Sequence, residues 1–168
     1  MLEVSLQEQE EMTDSESFIN LTDNQLQDSR ITIFGKFVEA QARLVNLLNK
    51  SLEENCSISI VWFEVLIRLA RSPNHYLAIG ELGEQVVLTS GGITRLVDRI
   101  EKVGYVTRRP CPQDRRVQYV VITVQGWQKL QEAIPVHLEN LQNHLINPLS
   151  EEELLNFENS LEKLRHLT

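Results

Sequence analysis

A mostly α-helical fold with one small β-hairpin, and with further helices on both sides of it, is predicted by three features of this 168-residue chain. Apolar residues recur at helical spacing through most of residues 29–166. Strand-like composition, rich in Val, Tyr and Thr, is confined to two short runs within residues 105–122, separated by Pro110 and Pro112. Seven of the sixteen Lys and Arg residues fall between Thr89 and Arg116, among only three acids, although the whole chain carries a net charge of −8. That surplus of positive charge on an otherwise acidic chain marks a contact surface for nucleic acid.

The negative charge sits at the start. Residues 1–28 hold eight acids, from Glu3 to Asp28, and no Lys or Arg, so residues 29–168 are formally neutral. The Glu- and Gln-rich composition predicts an acidic flexible N-terminal arm over residues 1–28, with a short helix around Phe18 to Leu26. This stretch has neither a basic n-region nor an apolar h-region, so no signal peptide is expected. No run of eighteen apolar residues occurs, so no membrane span and no membrane partner are expected. Cys56 and Cys111 form no CxxC pair, which argues against structural zinc and fits a reducing, cytoplasmic setting.

From about Ser29 to Leu52 a helix is predicted with two apolar faces. Ile31, Phe34, Val38, Ala42 and Val45 form one face, and Ile33, Phe37, Ala40, Leu44 and Leu47 the other. A helix apolar on both sides must bury both, and a partner subunit can supply the second layer. A second helix is read from Ser57 to about Arg71, capped by Ser57 or Ser59 and ended by Ser72-Pro73-Asn74. Tyr76 to Val86 reads as a short helix, followed by the turn Val87-Leu88-Thr89. The next helix starts at Thr89 or Ser90 and stops at Gly104, with Ile93, Leu96, Val97, Ile100 and Val103 on one stripe. Strands are read at Tyr105 to Arg109 and Val117 to Ile122. Thr123 caps a long helix to about Leu145, in which Pro135 predicts a kink or break. The capping box Ser150 to Glu153 opens a last helix.

Helix, turn, helix and hairpin, in that order, make a winged helix-turn-helix, with N- and C-terminal helices left over. In that geometry the second helix enters the major groove of double-stranded DNA. Its N-terminal Thr89, Ser90, Gly91, Thr94 and Arg95 would meet bases or phosphates, and Arg95 suits a guanine edge. The hairpin is the wing. Arg115 and Arg116 stand at its tip, where an Arg can enter a narrow minor groove, and Asp114 would hold Arg116 by a salt bridge. Arg115, Arg108 and Arg109 are expected to touch phosphates or other proteins. The acidic arm is read as a solvated tail or as a competitor of DNA for this surface.

No GxxxxGK[ST], HExxH, GxSxG or dinucleotide fingerprint occurs, so no enzyme activity and no cofactor are expected. His137 and His144 are too few for a metal site. Cys56, read as starting the second helix, and Cys111, read as an exposed wing residue, are candidate redox thiols, although an inert cysteine is the ordinary case. A winged helix that binds protein rather than DNA is the competing reading. It has little use for Arg95, Arg115 and Arg116 together.

The segments LTSGGITRLVDRIEKVGYVTRR, then DRR, then VQYVVITVQG resemble the core of the MarR family of bacterial transcription regulators. The resemblance covers roughly residues 30–167. It implies a MarR-type domain over 29–168, with dimerisation helices at 29–55 and 123–168 around a winged helix-turn-helix at 56–122. It further implies a homodimer on a pseudo-palindromic operator, acting as a repressor that a small-molecule effector or thiol oxidation releases. Effector pockets in the family lie between the dimer helices and the winged part, which makes Trp62, Phe63 and Tyr76 candidate lining residues.

Overall fold

The computed structural model describes residues 23–86, 90–114 and 116–166. The chain divides into two compact units, residues 1–42 and residues 43–168. Most of the acidic arm, residues 1–22, lies outside the described residues, and so does most of its expected short helix.

In the first unit, α1 (Asp23–Leu26) precedes the start of α2 (Ser29–Cys56). Asp28 opens α2: its Oδ1 accepts from the Arg30 amide at 2.8 Å, satisfying an amide that has no partner inside the helix. The Arg30 guanidinium closes on the same carboxylate and holds its pKa below the usual range. Ile31, Ile33, Phe34, Phe37 and Val38 are all exposed on this part of α2. The apolar residues read from the sequence on two faces are thus exposed along this part of α2, while Leu44 and Val45 further on are half-buried.

The second unit contains the hydrophobic core. The end of α2 buries Leu48, Leu52 and Cys56, and the helix runs one turn past the expected Leu52. Helix α3 (Ile60–Arg71) is capped by Ser59, whose hydroxyl accepts from the Trp62 amide, and it buries Phe63, Val65, Leu66 and Leu69. There follow β1 (Tyr76–Ala78), α4 (Ile79–Gln85), α5 (Ser90–Lys102), β2 (Val106–Pro110), β3 (Gln118–Ile122), α6 (Val124–Leu141) and α7 (Glu151–Arg165). The sheet is antiparallel in the order β1-β3-β2, with Tyr76 opposite Val121 and Val106 opposite Ile122.

Tyr76 to Val86 is therefore not one helix. Its first three residues are a third strand, and the helix begins only at Ile79. Three residues are too few for an alternating pattern to show, and the pairing partner that makes them a strand lies more than forty residues away. Pro135 sits inside α6 without ending it. The departure from α geometry comes later, as a π-helical turn over Gln142–Ile146 closed by Asn147 N–H donating to the Gln142 carbonyl at 2.8 Å. Helix α7 opens on the expected Ser150–Glu153 capping box but buries none of its residues. Leu155, Phe157 and Leu164 stay exposed, as does Leu138 on α6.

Candidate nucleic-acid interface

Helix α5 shows three stripes. Ile93, Val97 and Ile100, joined by Leu96, are buried and seat the helix on the core. Arg95, Arg99 and Lys102 recur at spacings of four and three and lie exposed. Thr94, Asp98 and Glu101 recur in the same way along the third stripe, which faces β2. The N-terminal end of the helix carries the exposed Gly91, so its backbone is open to close approach. The core helices thus position this surface, and the N-terminal end of the α5 dipole adds partial positive charge to it.

The wing is pinned at its root. Gly104 ends the α5 turn at φ +85°, a conformation that favours glycine. The Thr123 hydroxyl donates to the Gly104 carbonyl at 2.6 Å and accepts from the Gly126 amide at 3.0 Å, capping α6. A Cβ on Gly126 would collide with the Tyr105 carbonyl oxygen. The Ile-Thr-x-x-Gly motif is therefore a joint: Ile122 in the core, Thr123 as cap, and Gly126 leaving room for β2 to start.

At the tip, Cys111 N–H donates to the Val117 carbonyl and Val117 N–H to the Asp114 carbonyl, both at 2.9 Å. Asp114 receives three hydrogen bonds from Arg116: the backbone amide at 3.0 Å, and Nε and Nη2 at 3.1 Å each. This fork lowers the Asp114 pKa, chiefly through the Arg116 side chain. The expected salt bridge is present, and the Arg116 side chain, 91% exposed, projects into solvent.

Arg108 has another task than the one expected. Its guanidinium engages Glu101 Oε2, donates to Asp98 Oδ1 at 2.7 Å and to the Thr94 carbonyl at 3.3 Å, while its amide donates to Glu101 Oε1 at 2.8 Å. Its guanidinium and amide thus find acceptors on three α5 residues. The signal for this was in the sequence, in the Thr94/Asp98/Glu101 stripe followed by an Arg in the next strand. Thr89 and Arg115 lie outside the described residues, and so does the side chain of Ser90. Gly91, Thr94, Arg95, Asp114 and Arg116 are all placed on the exposed side of α5 or on the wing.

The candidate thiols are corrected. Cys56 ends α2 instead of starting a helix, so it meets the wrong end of the dipole for activation. Burial, reinforced by Glu132, raises its pKa. Cys111 is 7% exposed rather than open. It accepts a hydrogen bond from the Tyr119 hydroxyl at 3.3 Å, the largest cause of its lowered pKa, while the tyrosine is pushed up to about 12.

A cavity of about 660 Å³ lies between α3 and α6, within the size range of small-molecule sites. Phe63 lines it; Trp62 and Tyr76 do not. Trp62 meets Tyr105 edge to face at 6.2 Å, and Tyr76 packs on Tyr119 at 4.7 Å, so both rings are occupied with the wing and the sheet. The sequence reading missed Arg68 and His137 here. His137 packs on Phe63 at 4.3 Å, and burial lowers its pKa, against the pull of Glu64. Among the described residues, His137 Nδ1 and Arg68 Nε are buried without a hydrogen-bond partner.

Comparison with known proteins agrees with this geometry. The MarR family model matches residues 58–117, from just after α2 to the turn that precedes β3. An HTH-type transcriptional regulator of Bacillus cereus is 32% identical over 108 residues, covering 64% of this chain and 70% of its own length. A MarR family transcriptional regulator from Streptomyces coelicolor, solved in complex with DNA, superposes with a TM-score of 0.76 at 25% identity, covering 86% of this chain and 91% of that one. A mutant of MarR from Escherichia coli complexed with operator DNA gives 0.71 at 26% identity, over 80% and 95% of the two chains. With the recognition-type helix, the wing and its Asp114–Arg116 fork in place, and with these relatives, the chain belongs to the MarR family of transcription regulators.

Proposed function

We propose that this MarR-family regulator binds a specific pseudo-palindromic operator in double-stranded DNA as a homodimer, in the cytoplasm, and represses until a signal releases it. The observation that carries the reading is the pairing of an exposed basic stripe on α5 with an outward Arg116 on the wing. Arg95, Gly91 and Thr94, with Thr89 and Ser90, meet the major groove. Arg116, held by Asp114, enters the minor groove, and Arg115 and Arg109 meet phosphates. The exposed apolar residues of α2, α6 and α7 are the surfaces a second copy covers.

A small-molecule signal is favoured over oxidation. Cys56 is buried with a raised pKa, and Cys111 is enclosed by the wing turn. The α3–α6 cavity, with Phe63 in its wall and two buried unpartnered nitrogens beside it, suits an apolar molecule bearing a hydrogen-bonding group. A fluorescence-anisotropy titration on the DNA upstream of the protein's own gene, at several salt concentrations and against a scrambled duplex, tests the reading. Tight, salt-steep binding with a strong preference for the native fragment is expected. Equal weak binding to both duplexes would overturn it in favour of a winged helix that serves a protein partner.

A further inference from the structure

We propose that Arg108 is a positioning residue for DNA recognition: it fastens the wing to α5 so that both reach the duplex as one rigid unit, and it offsets part of the acidic stripe on that helix. The inference rests on the reading of α5 and the wing as the DNA-binding parts.

The two carboxylates of the third α5 stripe, Asp98 and Glu101, stand on a helix that must approach a phosphate backbone. Left alone, they would oppose it. Arg108 reaches across from β2 and engages both, and its third acceptor is the Thr94 carbonyl one turn earlier. Its side chain is 22% exposed and that of Glu101 34%, so the Glu101 contact is partly shielded from solvent screening, whereas Asp98 at 58% is more open. Glu101 in turn holds the strand itself, through the Arg108 amide at 2.8 Å. One end of the wing is thus tied to three successive positions of one helix stripe.

A planar guanidinium fork is needed for this, because a lysine ammonium is a single point charge on a flexible stem. The tie holds both carboxylates beside β2, and among the described residues the exposed Arg95, Arg99 and Lys102 stripe makes no ion pair. It also fixes the lever on which Arg116 is carried. An Arg at the tip of a wing can enter a minor groove in register with the helix in the major groove only if the hairpin does not swing.

The test is a double-mutant cycle on the native operator, read by anisotropy, together with amide hydrogen exchange of the DNA-free full-length protein over residues 105–122. Arg108→Met removes the fork and keeps an apolar stem. It is expected to keep its circular dichroism and a cooperative melt, to exchange faster in β2 and β3, and to bind operator about tenfold or more weakly. On that background Arg116→Ala is expected to add much less than it costs in the wild type, because an unpositioned wing has little left to lose. Arg108→Lys is expected to fall in between, and it carries the same cycle if the Met variant fails to fold.

Affinity within about twofold of wild type, or additive effects of the two substitutions, would overturn the proposal. The exchange measurement separates it from the underlying reading. Should the wild type show no operator preference, DNA recognition is what fails, and unchanged exchange in Arg108→Met then removes the tie as well.

Discussion

Asp114 and Arg116 show how a dipeptide-scale feature becomes a functional part. A carboxylate two positions before an arginine closes a fork, and the fork aims the rest of the guanidinium outward. The exposed pair contributes little to stability by itself, as surface ion pairs do. Its value lies in fixing one direction of a long side chain before DNA arrives. Arg116→Ala is expected to weaken operator binding by about 1–3 kcal/mol, with the oligomeric state unchanged. An anisotropy titration of the folded variant checks this, and an unchanged affinity would remove the wing assignment. This pair was legible in the sequence because both partners lie within three residues. Arg108 was not read correctly, because its acceptors lie seven to fourteen residues away on another element.

At the scale of elements, the sequence reading succeeded where a local rule decides the structure. The α5 stripe follows from helical spacing, the Ser59, Thr123 and Ser150 caps from side-chain chemistry, and the end of α5 from Gly104. It failed where a distant partner decides. Tyr76–Ala78 is a strand only because β3 lies beside it, and the place of Cys56 shifted because α2 runs on past Leu52 to Cys56. The joint between wing and α6 is the element most sensitive to added volume. Gly126→Ala places a methyl group against the Tyr105 carbonyl oxygen, which is backbone and cannot swing aside. A loss of about 1–3 kcal/mol in urea-denaturation stability is expected, of the size seen when a packed site is overfilled. A loss below about 0.5 kcal/mol, the range of neutral surface changes, would show that the joint is looser than its contacts imply.

For the whole molecule, charge and apolar surface are sorted to different places. The acids are densest in residues 1–28, α5 and the wing carry the exposed Arg95, Arg99, Lys102, Arg109 and Arg116, and most of the exposed large apolar residues lie on α2, α6 and α7. A net charge of −8 therefore says nothing against DNA binding, because the surface proposed to approach DNA has the opposite sign. The apolar residues left open in a single chain are what a twofold partner would cover, so that the same patch meets itself. Two winged units related in this way would place two α5 helices in successive major grooves, about one helical turn apart. Hydroxyl-radical footprinting of the operator fragment tests that arrangement most directly. The account predicts two symmetric half-sites centred about 10 base pairs apart on one face of the duplex, with protected minor-groove positions outside them where Arg116 enters. A single half-site, or protection that follows no sequence, would contradict it.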